Sequence, residues 1–261
     1  MKVGLIQLCS VLDPEANLKK IRFFLSQAKE KNIKGIFLPE VFYSMPIGME
    51  KPSVLVKKGN THFEKLQNLA KEFQIALLGG SVCYEGEKGE VLNRSLNFDE
   101  AGNDLGHYDK IHLFRCNLPD KKVNEGELFT EGKRSRLIEW GPFKIGLSIC
   151  FDLRFPRLYQ DYKDQGANLL SISSAFTVPT GKAGHWNTLV RARAIENQCY
   201  VLACNQWGKN NELTETWGHS MIVDPWGEVL ADAGEGEKLI FAELDLEKVK
   251  LVRSRVILQG E

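Results

Sequence analysis

The chain reads as an α/β fold, and three observations predict it. Apolar runs of strand length alternate with segments of helical period from one end to the other. Short alternating strands flank tight turns; these hairpins argue against a purely parallel, doubly wound sheet. No linker, low-complexity run or repeat divides the 261 residues, so one domain spanning residues 1–261 is expected. Two sheets covered by helices satisfy all three.

Each element has its own signal. Val3 to Leu8 is a short apolar strand. Asn17 to Lys31 places Leu18, Ile21, Phe24, Leu25 and Ala28 at helical spacing. Gly35 to Leu38 is a second strand, ending at Pro39-Glu40. Thr61 to Phe73 is a helix with Phe63, Leu66, Leu69 and Ala70 on one stripe, and Gln74 to Gly80 is a strand closed by two glycines. Val82 to Tyr84 and Val91 to Phe98 flank the turn Glu85-Gly86-Glu87-Lys88-Gly89 as a hairpin. Gly106 to Lys110 leads into a long polar, irregular stretch.

The second half repeats the logic. Phe143 to Ile149 is a strand, Phe155 to Gln165 a helix and Leu169 to Ser173 a strand before a loop from Ala175 to Gly184. His185 to Asn197 is a helix whose packed stripe comprises Trp186, Leu189, Val190, Ala192 and Ile195. Strands follow at Cys199–Cys204, Ser220–Val223, Val229–Ala231 and Lys238–Glu243, the second and third joined across Asp224-Pro225-Trp226-Gly227. Leu244 to Val252 is a terminal helix.

Composition excludes several classes. The formal net charge is +0, so no global field draws nucleic acid or an anionic membrane, and Lys121-Lys122 reads as solvated surface. No apolar stretch reaches the ~18 residues of a membrane span. The first residues are too short for an export signal and lack a small-residue cleavage site. Cys9, Cys83, Cys116, Cys150, Cys199 and Cys204 form no CxxC pair and no array with histidine that suits a metal. A reducing cytoplasm with free thiols is the expectation. Cys9, Cys83, Cys199 and Cys204 read as core; Cys116, in a polar loop, reads as more exposed. His112 and His219 read as packing or hydrogen-bonding groups.

Three reactive side chains end apolar segments. Glu40 follows Ile36-Phe37-Leu38-Pro39, Lys110 follows His107-Tyr108-Asp109, and Cys150 follows Ile149. Strand carboxyl ends converge on a crevice in open α/β sheets, so the three are plausible neighbours. Their chemistry suits amide hydrolysis. A carboxylate takes the thiol proton and returns it to a leaving amine, and an ammonium stabilises the oxyanion. The backbone N–H of Phe151 is a second oxyanion donor in this scheme, which requires no metal or organic cofactor. Spacing alone leaves plainer readings open: a buried core cysteine, a strand end, a surface turn.

The residues resemble the nitrilase, or carbon–nitrogen hydrolase, superfamily. Leu38-Pro39-Glu40 matches its glutamate context, Tyr108 to Phe114 its Tyr-x-Lys-x-His-Leu-Phe run, and Cys150 to Pro156 its Cys-Tyr/Phe-Asp-x-Arg-Phe-Pro run. Gly79-Gly80-Ser81, Asn93-Arg94-Ser95, His185-Trp186, Arg191 to Gln198 and Gly218-His219-Ser220 follow in family order across nearly the whole chain. The resemblance implies a four-layer α-β-β-α sandwich of the nitrilase type. It implies Glu40 as general base and acid, Lys110 as electrostatic stabiliser and Cys150 as nucleophile. It also implies an auxiliary glutamate, assigned to Glu125, with Glu127 its rival because Gly126 breaks the usual Glu-Ser pattern. A homodimer formed partly through the helix Phe155–Gln165 is implied too, with Phe155, Leu158 and Tyr159 as interface or core.

Gly218 to Gly227 resembles the Nit-type amidases, which act on deaminated glutathione or on 2-oxo acid ω-amides. Such a carboxylate-bearing small-molecule amide calls for a basic pocket residue. Arg115, where relatives often carry Asp, is the candidate, and by resemblance Phe176 and Thr177 open the loop Phe176–Lys182 that forms a pocket wall. Asp152 and Arg154 are expected to hydrogen-bond behind or beside the nucleophile. The segment after Arg255 is shorter than the basic, proline-containing tail of relatives, so a less complete tail contact is expected. An N-carbamoyl amide hydrolase, a nitrile hydrolase and a catalytically silent binding protein of the same fold are the alternatives.

Overall fold

The computed structural model describes residues 1–117 and 122–258; Lys121 of the lysine pair and the last three residues lie outside them. The first part of the chain forms β1 (Lys2–Gln7), α1 (Pro14–Glu30), β2 (Gly35–Phe37), α2 (Thr61–Phe73), β3 (Ala76–Leu78), β4 (Ser81–Glu85), β5 (Val91–Phe98) and β6 (Asp104–Asp109). The middle adds β7 (Arg115–Asn117), β8 (Lys122–Asn124), β9 (Leu137–Trp140), β10 (Phe143–Ile149), α3 (Pro156–Asp164) and β11 (Leu169–Ser174). Next come α4 (Val178–Lys182), α5 (His185–Asn197), β12 (Tyr200–Asn205), β13 (Trp207–Lys209) and β14 (Glu215–Trp217). The chain closes with β15 (Met221–Val223), β16 (Val229–Asp232), β17 (Lys238–Glu243) and α6 (Leu246–Arg255).

Two large sheets result. One runs β17-β1-β2-β3-β5-β4, with β6 also on β5; the other runs β16-β15-β12-β11-β10-β9. Three apolar layers show how they stack. Leu18, Ile21 and Leu25 of α1 and Leu66 and Leu69 of α2 pack with Ile6, Ile36 and Leu77 of the first sheet. Leu5, Phe37 and Leu78 of the first sheet meet Ile145, Leu147, Leu202 and Ile222 of the second. The far face of the second sheet, with Leu170, Ile172 and Val201, meets Tyr159 and Tyr162 of α3 and Trp186 and Val190 of α5. The order is helix, sheet, sheet, helix: the four-layer sandwich. Strands buried on both faces read as continuous apolar runs, which is why β1, β10 and β11 stand out in the sequence.

Several boundaries differ from the sequence reading. Helix α1 starts at Pro14, not Asn17, because Asp13 caps it by accepting from the Glu15 N–H at 2.9 Å, and proline suits the first helical turn. The supposed loop from Ala175 to Gly184 contains α4, and the irregular stretch after Lys110 contains the hairpin β7–β8. Ile195 is 51% exposed and does not belong to the packed stripe of α5; Arg193 and Asn197 are buried instead. Arg193 can be buried because both Nε and Nη2 donate to the Leu153 carbonyl, at 3.2 and 2.6 Å. Leu158 and Tyr159 of α3 belong to the internal core. Cys9 is partly exposed, its thiol donating to the Lys209 carbonyl at 3.5 Å, so it is not a core residue. No described helix is long and apolar enough to cross a membrane.

Candidate active site

Strands of both sheets end at one place. Glu40 lies three residues beyond β2, Lys110 directly after β6 and Cys150 directly after β10. β10, β11 and β12 run parallel, so the residues after β11 and β12 arrive there as well. Two non-glycine residues at this junction hold left-handed backbone: Val41, next to Glu40, at φ +47°, and Cys150 at φ +46°. Such conformations cost of order 1–3 kcal/mol each and persist only where surrounding structure enforces them. The Val41 N–H is held by the Ser81 hydroxyl at 3.0 Å.

Glu40 is only 4% exposed and accepts three hydrogen bonds. Oε1 takes one from Asn93 Nδ2 at 2.8 Å and one from Lys110 Nζ at 2.9 Å; Oε2 takes one from the Ala175 N–H at 2.8 Å. A carboxylate offers about four lone-pair sites. Among the described residues three donors face it, which leaves capacity for one more. Gln206 Nε2 donates to the Glu40 carbonyl at 2.8 Å, fixing its backbone to the end of β12.

Lys110 is 1% exposed, and its ammonium lies between two carboxylates. Besides Glu40 it reaches Glu125 Oε2 at 2.8 Å and Oε1 at 3.0 Å. Burial opposes its charge, but Glu125 and Glu40 outweigh burial and hold its pKa well above the ordinary lysine range. Glu125 opens a 3-10 turn, and its Oε2 also accepts from the Phe114 N–H at 2.7 Å. Burial raises the Glu125 pKa even though Lys110 pulls the other way. Among the described residues Glu127 is not paired with Lys110; its carboxylate accepts from Asn124 Nδ2 at 3.3 Å.

Cys150 opens a second 3-10 turn and keeps partial exposure. Its thiol pKa is pushed up to about 12, first by burial and then by the charge of Glu40; Lys110 and the Ser174 hydroxyl pull it down. The resting thiol is therefore protonated at neutral pH, and nucleophilic attack needs a base beside it. The Phe151 ring stands edge-on to Phe114 and Phe155, at 5.3 and 5.4 Å between centroids. Val41, Met45, Cys83, Val91 and Phe129 form a buried apolar cluster, with Cys83 within electrostatic reach of Glu40 and Glu125.

The remaining sequence candidates lie farther out. Arg115 is exposed at the start of β7, beside Gly126 of the Glu125 turn. Phe176 is buried with its ring against Trp186. Thr177 shares a hydroxyl–hydroxyl hydrogen bond with Thr180 at 3.1 Å. A cavity of about 200 Å³ opens near the end of the turn that begins at Cys150; Arg154, His185, Thr188 and Leu189 line it. The Arg154 guanidinium stands 5.5 Å from the Phe176 ring centroid and contacts His185 Nδ1 at 3.2 Å. The sequence marked Asn93 only as part of the Asn93-Arg94-Ser95 match and gave it no role; its place on β5, where Nδ2 donates to Glu40, supplies one. Among the described residues no cluster of three or more His, Cys, Asp and Glu could hold a metal ion.

Residues 2–254 match the family model of carbon–nitrogen hydrolases. The chain is 36% identical over 256 residues to a deaminated glutathione amidase of Synechocystis, covering 96% of this chain and 94% of that one. It is 36% identical over 266 residues to the omega-amidase NIT3 of Saccharomyces cerevisiae, covering 98% and 91%. The crystal structure of Saccharomyces cerevisiae Nit3, a member of branch 10 of the nitrilase superfamily, matches with a TM-score of 0.88 at 34% identity, covering 100% of this chain and 96% of that one. The Caenorhabditis elegans NitFhit structure matches with a TM-score of 0.89 at 37% identity, covering 97% of this chain and 63% of that one. This chain thus spans less than two thirds of that fusion protein.

Proposed function

The chain belongs to the carbon–nitrogen hydrolase family, and we propose that it is an amidase acting on small carboxylate-bearing amides of the deaminated glutathione or 2-oxo acid ω-amide type, through a thioester on Cys150. The observation that carries the reading is the Lys110 ammonium, buried between Glu40 and Glu125 and within electrostatic reach of the Cys150 thiol. The relatives named deaminated glutathione amidase and omega-amidase support the substrate class.

The geometry suggests how the steps follow. Cys150 Sγ attacks the amide carbon while its proton passes to the open lone pair of Glu40. The developing oxyanion is met by Lys110 and by the Phe151 N–H. Protonation of Glu40 weakens its hold on the Lys110 ammonium, so the lysine becomes free for the oxyanion as the oxyanion forms; Glu125 keeps it in place. The C–N bond breaks as Glu40 returns the proton to the leaving nitrogen, and ammonia or an amine departs from a thioester. Water then attacks the thioester carbon and gives a proton to Glu40. The C–S bond breaks, that proton restores the thiol, and the carboxylic acid leaves.

A substrate carboxylate needs a cation that is not already paired. Among the described residues Arg154 has a histidine and an aromatic ring as partners rather than a carboxylate, and it stands beside the turn of Cys150. Arg115, exposed near the Glu125 turn, is the second candidate. We place the enzyme in the cytoplasm, a reading supported by its six free cysteines. We also take its working form to be a homodimer with no metal or organic cofactor.

Specificity constants for purified protein on deaminated glutathione, 2-oxoglutaramate, N-carbamoyl amino acids and simple nitriles test this reading. One of the first two is expected to dominate, with ammonia or amine released stoichiometrically. A preference for carbamoyl substrates or nitriles, or no turnover of any of the four, contradicts it. Cys150→Ser is expected to abolish the turnover.

A further inference from the structure

We propose that Asp152 is a positioning residue that holds Cys150 in register with Lys110 across the two sheets; the proposal rests on Cys150 being the nucleophile. Asp152 is fully buried, and four hydrogen bonds converge on its carboxylate. Oδ2 accepts from the Ile149 N–H at 2.8 Å and from the Tyr108 hydroxyl at 2.7 Å. Oδ1 accepts from the His112 N–H at 3.0 Å and from the His112 ring at Nδ1, 2.7 Å away. The Tyr108 hydroxyl in turn accepts from the Ile111 N–H at 3.2 Å.

These partners fall into two groups. Ile149 is the last residue of β10, immediately before the left-handed Cys150. Tyr108, Ile111 and His112 bracket Lys110 at the end of β6. β6 belongs to one sheet and β10 to the other, and no backbone ladder joins them. Apolar packing between sheets resists separation but fixes sliding poorly, because it is non-directional. A carboxylate bonded to both strand ends adds a directional constraint between β6 and β10, as the Ala175 and Gln206 bonds to Glu40 do between other strands of the two sheets. His112 is itself held by stacking on Phe155, with centroids 3.6 Å apart and planes 7° from parallel. The geometry that Glu40 and Lys110 demand of the thiol is thus set by a residue that touches neither of them nor the substrate. A displacement of ~1 Å at a reacting atom can cost ~100-fold in rate.

Asp152→Asn tests the assignment, because asparagine keeps the shape but turns one acceptor into a donor facing N–H or O–H donors. The probe is iodoacetamide, with labelling of Cys150 followed by peptide mass spectrometry from pH 6 to 9, alongside kcat and KM on the amide the enzyme hydrolyses best. In the unaltered protein labelling is expected to vary little with pH, since Glu40 takes the proton. In Asp152→Asn it is expected to fall at least about 30-fold at pH 7 and to rise about tenfold per pH unit, as for an unassisted thiol. kcat is expected to fall at least about 30-fold with KM within about threefold, while melting stays cooperative. Tyr108→Phe, which removes one of the four bonds, is expected to give a three- to tenfold loss of both rates. Wild-type labelling rate and pH dependence in folded Asp152→Asn, a loss confined to KM, or a loss matching a reduced folded fraction overturns the proposal. If Asp152→Asn does not fold, unchanged Cys150 labelling in folded Tyr108→Phe overturns it. If no amide is hydrolysed but Cys150 labelling responds as described, the functional reading fails and the positioning role stands.

Discussion

Glu40 has three donors on its carboxylate and room for one more proton. Glu40→Gln keeps the size but cannot take that proton, so kcat is expected to fall by about 10²- to 10⁴-fold, measured on the best amide substrate. The pH dependence follows from the thiol. Its pKa is raised to about 12, so the protonated form dominates below that value, and ionisation of the free thiol contributes no activity gain between pH 7 and 9. In Glu40→Gln that protection from pH is lost, and iodoacetamide labelling of Cys150 is expected to climb about tenfold per pH unit over the same interval. Glu125 and Glu127 give a paired comparison. Glu125→Gln removes a carboxylate from Lys110 and is expected to cost at least about tenfold in kcat; Glu127→Gln, on an exposed side chain, is expected to stay within about twofold. Glu40 and Cys150 were visible because each is reactive and ends an apolar run; Lys110, after the polar His107-Tyr108-Asp109, stood out through the Tyr108 to Phe114 match. The sequence could not separate Glu125 from Glu127, two residues apart in an atypical turn, because only the fold shows which carboxylate reaches Nζ.

Elements were legible where burial imposed a clean period. The span of α2, Thr61–Phe73, and the strand β10, Phe143–Ile149, agree with the spacing of their apolar residues. The strand β9 escaped notice because its four residues alternate with exposed Glu139 and follow a polar stretch. Helix α4 was hidden because Pro179 and Gly181 read as breakers. Yet proline fits its first turn, and Gly181 is required there: a Cβ would meet the Trp217 ring at 2.1 Å. Ile195 was misplaced because apolar period alone does not reveal that Arg193 and Asn197 find buried hydrogen-bond partners. Two substitutions test elements directly. Asp13→Ala removes the cap of α1 and is expected to cost about 1 kcal/mol, read from the denaturant midpoint at unchanged m-value. Gly132→Ala places a Cβ 2.0 Å from the Asp109 carbonyl, in the loop whose Gly132 N–H holds the Lys110 carbonyl at 2.8 Å. It is expected to cost about 1–3 kcal/mol by the same measurement.

At the scale of the molecule, two sheets face each other through one apolar layer and are flanked by helices through two more. That stacking brings Glu40 and Lys110 from one sheet to Cys150 of the other, a meeting that no local pattern in the chain encodes. The sequence supplied the family's motifs in order, and so the architecture by resemblance; the register between the sheets came only with the structure. The outer face of α3 now carries Arg157, Gln160 and Asp164, while its apolar residues are spent on the core. Ile195 and Trp226, 51% and 59% exposed, are apolar side chains near Gly227, with Val229 and Leu230 following at 36% and 37%. Sedimentation equilibrium is expected to give twice the 29.5 kDa chain mass; a monomer at micromolar concentration contradicts the homodimer. The central claim is that Cys150 carries the acyl group between two half-reactions. Rapid mixing with the best amide substrate, acid quench and peptide mass spectrometry test it most directly. An acyl adduct on the Cys150 peptide that forms and decays with turnover is the predicted result; turnover with no adduct there, or an adduct on another residue, contradicts it.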